Sequence, residues 1–147
     1  MQNKMIELHR KNPKYTPEAY TFVMDALNFA LFKIREHRHL SGRELSHACR
    51  ELALELWGSM ARHVLNGWGM YTTTDIGEIV FTMIELDVLS KSPEDRKEDF
   101  NDVFSFPSAF DNHKTELDEF GHVRRLFPPQ HHEPITWLPV TGSDALN

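Results

Sequence analysis

Residues 41–89 read SGRELSHACRELALELWGSMARHVLNGWGMYTTTDIGEIVFTMIELDVL, and their punctuation decides the fold. Ser41-Gly42-Arg43-Glu44 is a capping box: the Ser side chain caps the first turn and the Glu reaches back to the cap amide. Leu45, Ala48, Cys49, Leu52, Leu56, Met60 and Val64 recur at helical spacing, with Ala53, Trp57 and Ala61 beside them. Arg43, His47, Glu51, Glu55, Arg62 and Asn66 make the opposite stripe. This predicts one amphipathic helix from Gly42 to about Leu65. Asn66-Gly67 is the expected stop, because both residues tolerate the left-handed C-cap conformation. A connector, Trp68–Thr74, leads to a further helix capped by Thr74 or Asp75, with Asp75 and Glu78 as a second capping box. Ile76, Ile79, Val80, Ile84 and Val88 form its apolar arc; Asp75, Glu78, Thr82 and Glu85 form its polar arc. Gly77 on its flank signals close approach of another backbone.

Upstream, Thr16-Pro17-Glu18 opens a helix with a cap, a proline and an acid. Tyr20, Val23, Leu27, Ala30, Leu31 and Ile34 carry its periodicity, and Phe22, Phe29 and Phe32 widen the apolar arc. A helix so broadly apolar packs on more than one side. It is expected to reach about Arg38. Residues 1–14 read as a basic N-terminal arm, and residues 15–110 as the helical domain.

Downstream, Ser92-Pro93-Glu94-Asp95 reads as a helix start, giving a short helix to about Asp102 and then an extended aromatic segment. A β-hairpin with its return strand at Phe100–Phe106 is the alternative. Residues 111–147 form an acidic tail in which Pro128, Pro129, Pro134 and Pro139 rule out long regular elements. Leu117, Phe120, Val123 and Leu126 suit a short amphipathic helix, and Trp137-Leu138-Pro139 is an isolated apolar cluster. The tail is expected to be partly docked, with a partner-binding motif as the alternative.

The chain has 147 residues and a net charge of −6, with 40% hydrophobic residues. No apolar run approaches the ~20 residues of a membrane span. The N-terminus lacks an apolar h-region, and one cysteine excludes an internal disulfide and a cysteine-rich zinc site. A cytosolic protein is the expectation. Charge is uneven: residues 1–40 carry a net +3 and every later segment is negative.

A helix, a threonine-containing turn, a second helix and a charged stretch follow one another over roughly residues 50–106. This order resembles a winged helix-turn-helix. The resemblance implies that residues 75–89 would enter the major groove. That segment carries Asp75, Glu78 and Glu85 on its polar face and no Lys or Arg, whereas phosphate contact needs cations. A nucleic-acid role would therefore use Arg10, Lys11 and Lys14 of the arm.

Three phrases carry a second resemblance. They are Arg38-His39-Leu40-Ser41-Gly42-Arg43-Glu44-Leu45, then Trp68-Gly69 with Thr74-Asp75-Ile76-Gly77-Glu78-Ile79-Val80-Phe81, then Ser92-Pro93-Glu94-Asp95-Arg96 with Glu98-Asp99-Phe100. Over residues 15–110 they resemble a family of small uncharacterised proteins found mainly in planctomycete and verrucomicrobial bacteria. The resemblance implies a bacterial cytosolic protein and assigns no site residue.

Chemical constellations are sparse. Glu36-x-x-His39 and Glu44-x-x-His47 have the spacing of a di-iron helix motif, but the two pairs flank one turn instead of facing across a bundle. Glu44 is already used by the capping box. Cys49 lies on an apolar stripe, where a thiol is a small hydrophobe. No serine nucleophile elbow, P-loop or dinucleotide fingerprint occurs. Trp68, Met70 and Tyr71 concentrate aromatic and thioether surface in one connector, the chemistry of interface anchors. Arg96 and Lys97 are candidate rim residues beside them.

The expectation is therefore a mainly α chain, a compact helical domain of four or five helices, winged-helix-like in its C-terminal half. Its expected role is a non-catalytic protein-interaction or adaptor module with a protein partner and no cofactor. A nucleic-acid regulator and a His/carboxylate metalloenzyme are the alternatives.

Overall fold

A computed structural model describes residues 2–35, 38 and 40–111. The elements are α1 (Gln2–Lys11), α2 (Pro17–Ile34), α3 (Gly42–Trp57), a 3-10 turn (Gly58–Met60), α4 (Ala61–Gly67), α5 (Thr73–Glu85), a second 3-10 turn (Lys97–Phe100) and one π-helical turn (Pro107–Asp111). No strand occurs among the described residues. The chain is a mainly α, compact helical domain, as its apolar periodicity predicts. The readings of the tail beyond Asp111 lie outside the described residues.

The N-terminal segment is a helix, where the sequence reading placed an arm. Met5 and Leu8 of α1 are buried, and α1 packs on α2 and α5. Arg10 and Lys11 stay on its exposed side. Thr16 caps α2 by accepting the Ala19 amide, with Pro17 in the first turn. The helix ends at Arg35, earlier than Arg38, where a left-handed residue (φ 57°) donates its amide to the Leu31 carbonyl. Eight buried positions, Ala19 to Leu31, wrap around α2, so this helix is the centre of the core.

The capping box of α3 forms as read. The Glu44 amide donates to Ser41 Oγ at 3.0 Å, and the Ser41 amide donates to Glu44 Oε1 at 2.9 Å. The helix does not run on to Leu65. Gly58, at φ 54°, interrupts it and a 3-10 turn follows. The break shifts the helical phase. Ala53, Ala61 and Leu65 face the core, while Leu56 and Met60 are 55% and 54% exposed. The long predicted stripe therefore splits at Gly58.

The stop after α4 is Gly69, two residues beyond the expected Gly67. Its φ of 99° lets Gly69 and Met70 donate their amides to the Asn66 and Leu65 carbonyls, a Schellman closure. A Cβ at Gly69 would run into the Lys14 carbonyl oxygen. The start of α5 also differs from the reading. Thr72 is the extended cap residue, and Asp75 accepts the Tyr71 and Thr72 amides at 2.7 and 3.0 Å. Asp75 is thus the acid of the first turn, and the polar arc of α5 is partly interior: Asp75 and Thr82 are buried.

Residues 86–106 form no wing. Phe100 packs between Gly42 of α3 and Gly77 of α5, where a Cβ would lie 3.0–3.1 Å from Asp99 and the Phe100 ring at Gly42, and 2.8–2.9 Å from Phe100 at Gly77. Thr73 Oγ1 donates to the Phe100 carbonyl at 2.6 Å and accepts the Val103 amide at 3.2 Å. These bonds take backbone groups that a hairpin ladder would need. A close approach does occur at Gly77, but what approaches is the Phe100 side chain and not another backbone. Phe104, Phe106 and Phe110 then cluster with ring centroids 5.2–6.2 Å apart, and Arg62 forks onto Asp111 at 2.7–2.9 Å.

Candidate protein-contact surface

Two features of the domain could carry chemistry: a buried polar cluster and an open apolar groove. The cluster joins the loop before α2 to the start of α5. The fully buried Tyr15 hydroxyl donates to Asp75 Oδ1 at 2.5 Å, and Glu78 Oε2 lies 3.0 Å from the same oxygen. Lys14 Nζ bridges Asp75 at 3.2 Å and Glu78 at 3.1 Å. Burial, then the facing carboxylates, push the Tyr15 hydroxyl well above its ordinary range. Burial opposes the charge on Asp75, but the Tyr15 hydroxyl and the Tyr71 and Thr72 amides outweigh it and hold the carboxyl below its usual range. The Glu78 hydrogen bond raises Lys14. Tyr15 and Lys14 keep their protons and Asp75 stays ionised near neutral pH, and none of the four residues lines the groove between α1, α2 and α3. The cluster is a clasp between two segments.

The groove lies where α1, α2 and the end of α3 meet and has a volume of about 440 Å³. Met5, Ile6, Phe22, Leu56, Trp57 and Trp68 supply its apolar walls. Three rings stiffen it. Trp57 meets Trp68 edge-on at 5.4 Å, and Phe22 lies 5.5 and 6.1 Å from the two indoles. Such pairs add about 0.5–1.5 kcal/mol each beyond their burial. The Thr16 amide donates to the Trp68 carbonyl at 3.2 Å, which fixes the connector against α2. Ile6 and Leu56 are 45% and 55% exposed, although most large apolar side chains of the domain are buried. Among the described residues, the polar lining is Glu18, Thr21 and Asp25, with no Lys, Arg or His.

The five residues read as a partner corner separate. Trp68 lines the groove, half-buried. Met70 is fully buried beneath the Schellman turn, where the residue after the left-handed glycine packs inward. It is a core residue and cannot meet a partner. Tyr71 is 58% exposed, but it is not part of the groove lining. Arg96 lines a different recess of about 40 Å³, with Leu27, Leu45 and Val80. Lys97 is exposed on the neighbouring 3-10 turn. The sequence reading missed Ile6 and Leu56. The spacing of Met5 and Leu8 inside the basic run is the signal that marks α1 as a helix; Leu56 becomes visible only once Gly58 is taken as a break.

Of the three arm cations, Lys14 is held by Asp75 and Glu78, and Lys11 lies 3.8 Å from Glu85. These contacts supply acidic neighbours where a phosphate site needs unpaired cations. Glu36 and His39 lie outside the described residues. Glu44 is occupied by Ser41 and by a bidentate contact from Arg38 at 2.8–3.1 Å. His47 packs on Phe104 at 5.5 Å; burial, then Arg43 and Arg50, lower its pKa. No group of three His, Cys, Asp or Glu with metal-binding geometry occurs among the described residues. Cys49 is buried, which pushes its thiol up. No described helix is long and apolar enough to cross a membrane.

Comparison with known proteins gave no matching family model, no similar curated protein and no similar solved structure.

Proposed function

We propose that the chain is a non-catalytic protein-interaction module of a bacterial cytosol, and that it engages its partner through the groove between α1, α2 and α3. One observation carries the reading: Ile6 and Leu56, from two different helices, leave half their surface in water beside the Phe22–Trp57–Trp68 cluster. Burying exposed apolar side chains against a rigid aromatic surface is what drives association at interface centres. The held protonation states of Tyr15, Lys14 and Asp75 in the clasp and the burial of Cys49 favour a binding role over a catalytic one.

The test is recovery of the tagged full chain from its native host after nuclease treatment, read by quantitative mass spectrometry. A stoichiometric protein that stays with the wild type and is lost with Leu56→Glu is the expected result. Partners that disappear with nuclease, or that ignore Leu56→Glu, would overturn the proposal.

A further inference from the structure

We infer that the chain's own residues 134–140 occupy the groove between α1, α2 and α3 and must leave it before a partner enters; this rests on the interaction reading above and adds its regulation. Three observations combine. The first is where the described residues end. Asp111 is gripped by Arg62 at 2.7–2.9 Å. Arg62 opens α4, directly after the 3-10 turn that follows Trp57, and the π-helical turn packs on both that 3-10 turn and α4. The chain therefore leaves the domain beside the α3 end of the groove, where Leu56 and Trp57 form the wall. The second is length. Residues 112–133 reach about 75 Å when fully extended, against a radius of gyration of about 13 Å for a domain of this size. The third is chemistry. Pro134-Ile135-Thr136-Trp137-Leu138-Pro139-Val140 carries no charge, so Ile135, Trp137, Leu138 and Val140 can be covered without burying one. Pro134 and Pro139 fix their own φ and disfavour helix at the residues before them. Stiff extended segments of this kind suit grooves lined by aromatic rings. Phe22, Trp57 and Trp68 supply such a lining, and the exposed Ile6 and Leu56 supply apolar edges. Tethering holds the segment at an effective concentration on the order of a millimolar, which a second copy does not match in dilute solution.

The experiment places a photo-cross-linking amino acid at position 56 of the full chain, in a dilute mixture of light and heavy isotope-labelled protein, and maps adducts by mass spectrometry. Adducts from position 56 to residues 134–140 within one copy are expected, reduced about fivefold or more when Trp137→Ser and Leu138→Ser are combined. Light–heavy adducts would make a second copy the occupant and overturn the inference, as would adducts elsewhere or none. A synthetic peptide of residues 132–143 gives a second measurement. It should bind the combined Trp137→Ser, Leu138→Ser chain about tenfold tighter than wild type, whose groove is already filled, and lose that binding when Leu56→Glu is added. Equal affinity for the two chains, or none for either, overturns the inference. Partner capture from the native host separates the two readings. Leu56-dependent capture without the 134–140 adduct overturns the tail inference alone. The adduct with capture indifferent to Leu56→Glu overturns the interaction reading and the regulation with it. With both adduct and Leu56-dependent capture, the combined serine variant should capture about threefold more partner; unchanged capture overturns the regulation.

Discussion

The Tyr15 hydroxyl donates a 2.5 Å hydrogen bond to Asp75, sixty positions further along the chain. The same carboxylate holds the first turn of α5 through the Tyr71 and Thr72 amides. One buried side chain thus ties the entry of α2 to the entry of α5. Tyr15→Phe removes the donor and leaves a buried carboxylate short of one partner. A loss of about 2 kcal/mol is expected, the range for a hydrogen bond to a charged group. The bond helps hold Asp75 below its usual pKa, so the deficit should shrink as acid protonates Asp75. Urea denaturation of both proteins at pH 7 and pH 3 checks both points.

That clasp shows where the sequence was legible and where it was not. Caps and periodicity are local, so Thr16 and Ser41 and the cores of α2, α3 and α5 could be read directly. The role of Asp75 depends on Tyr15, and no local pattern joins residues sixty apart. The break at Gly58 was hidden because the apolar spacing continues through it. The wing reading failed because Phe100 finds its place between Gly42 and Gly77, a contact set by the packing of α3 near α5. Trp68 was identified by residue type alone; its neighbours Ile6 and Leu56 needed the fold.

Glu44 predicts a pH dependence of defined sign. The Arg38 guanidinium and the Ser41 amide lower its carboxyl from 4.5 to about 2. A carboxyl depressed on folding contributes stability above its unfolded pKa and loses it as pH falls toward the folded one. Glu44→Gln should therefore be less stable than wild type at pH 6, with the gap closing between about pH 4.5 and pH 2. The pair is exposed, so the effect is small and weakens with salt. Thermal unfolding of the two proteins across that range measures it. A gap that widens in acid would refute the assignment.

Two glycines in helices should respond in opposite ways to alanine. At Gly77 a Cβ would lie 2.8 Å from the Phe100 Cβ, so Gly77→Ala forces α5 and the 95–103 segment apart. Overpacking of this kind costs about 1–3 kcal/mol. At Gly67 nothing lies within 4 Å and φ is not positive, so Gly67→Ala gains helix propensity, up to about 1 kcal/mol. Denaturant midpoints of the two variants should fall on either side of wild type.

Met70 and Tyr71 are adjacent in sequence and opposite in environment. Met70 is fully buried, so Met70→Ala opens a cavity and should cost about 2–5 kcal/mol. Tyr71 is 58% exposed and anchors α5 only through its amide, which alanine retains, so Tyr71→Ala should shift stability by no more than about 0.5 kcal/mol. Leu56→Glu, at a site 55% exposed, belongs with Tyr71→Ala on stability and apart from it on binding. Chemical denaturation of all three, beside capture of the partner by each, separates core from contact surface. Leu56→Glu should fold like wild type and lose the partner, Tyr71→Ala should fold and keep it, and Met70→Ala should lose partner only in proportion to the fraction unfolded. Loss of partner by folded Tyr71→Ala with retention by Leu56→Glu would move the contact surface from the groove to the 70–74 connector.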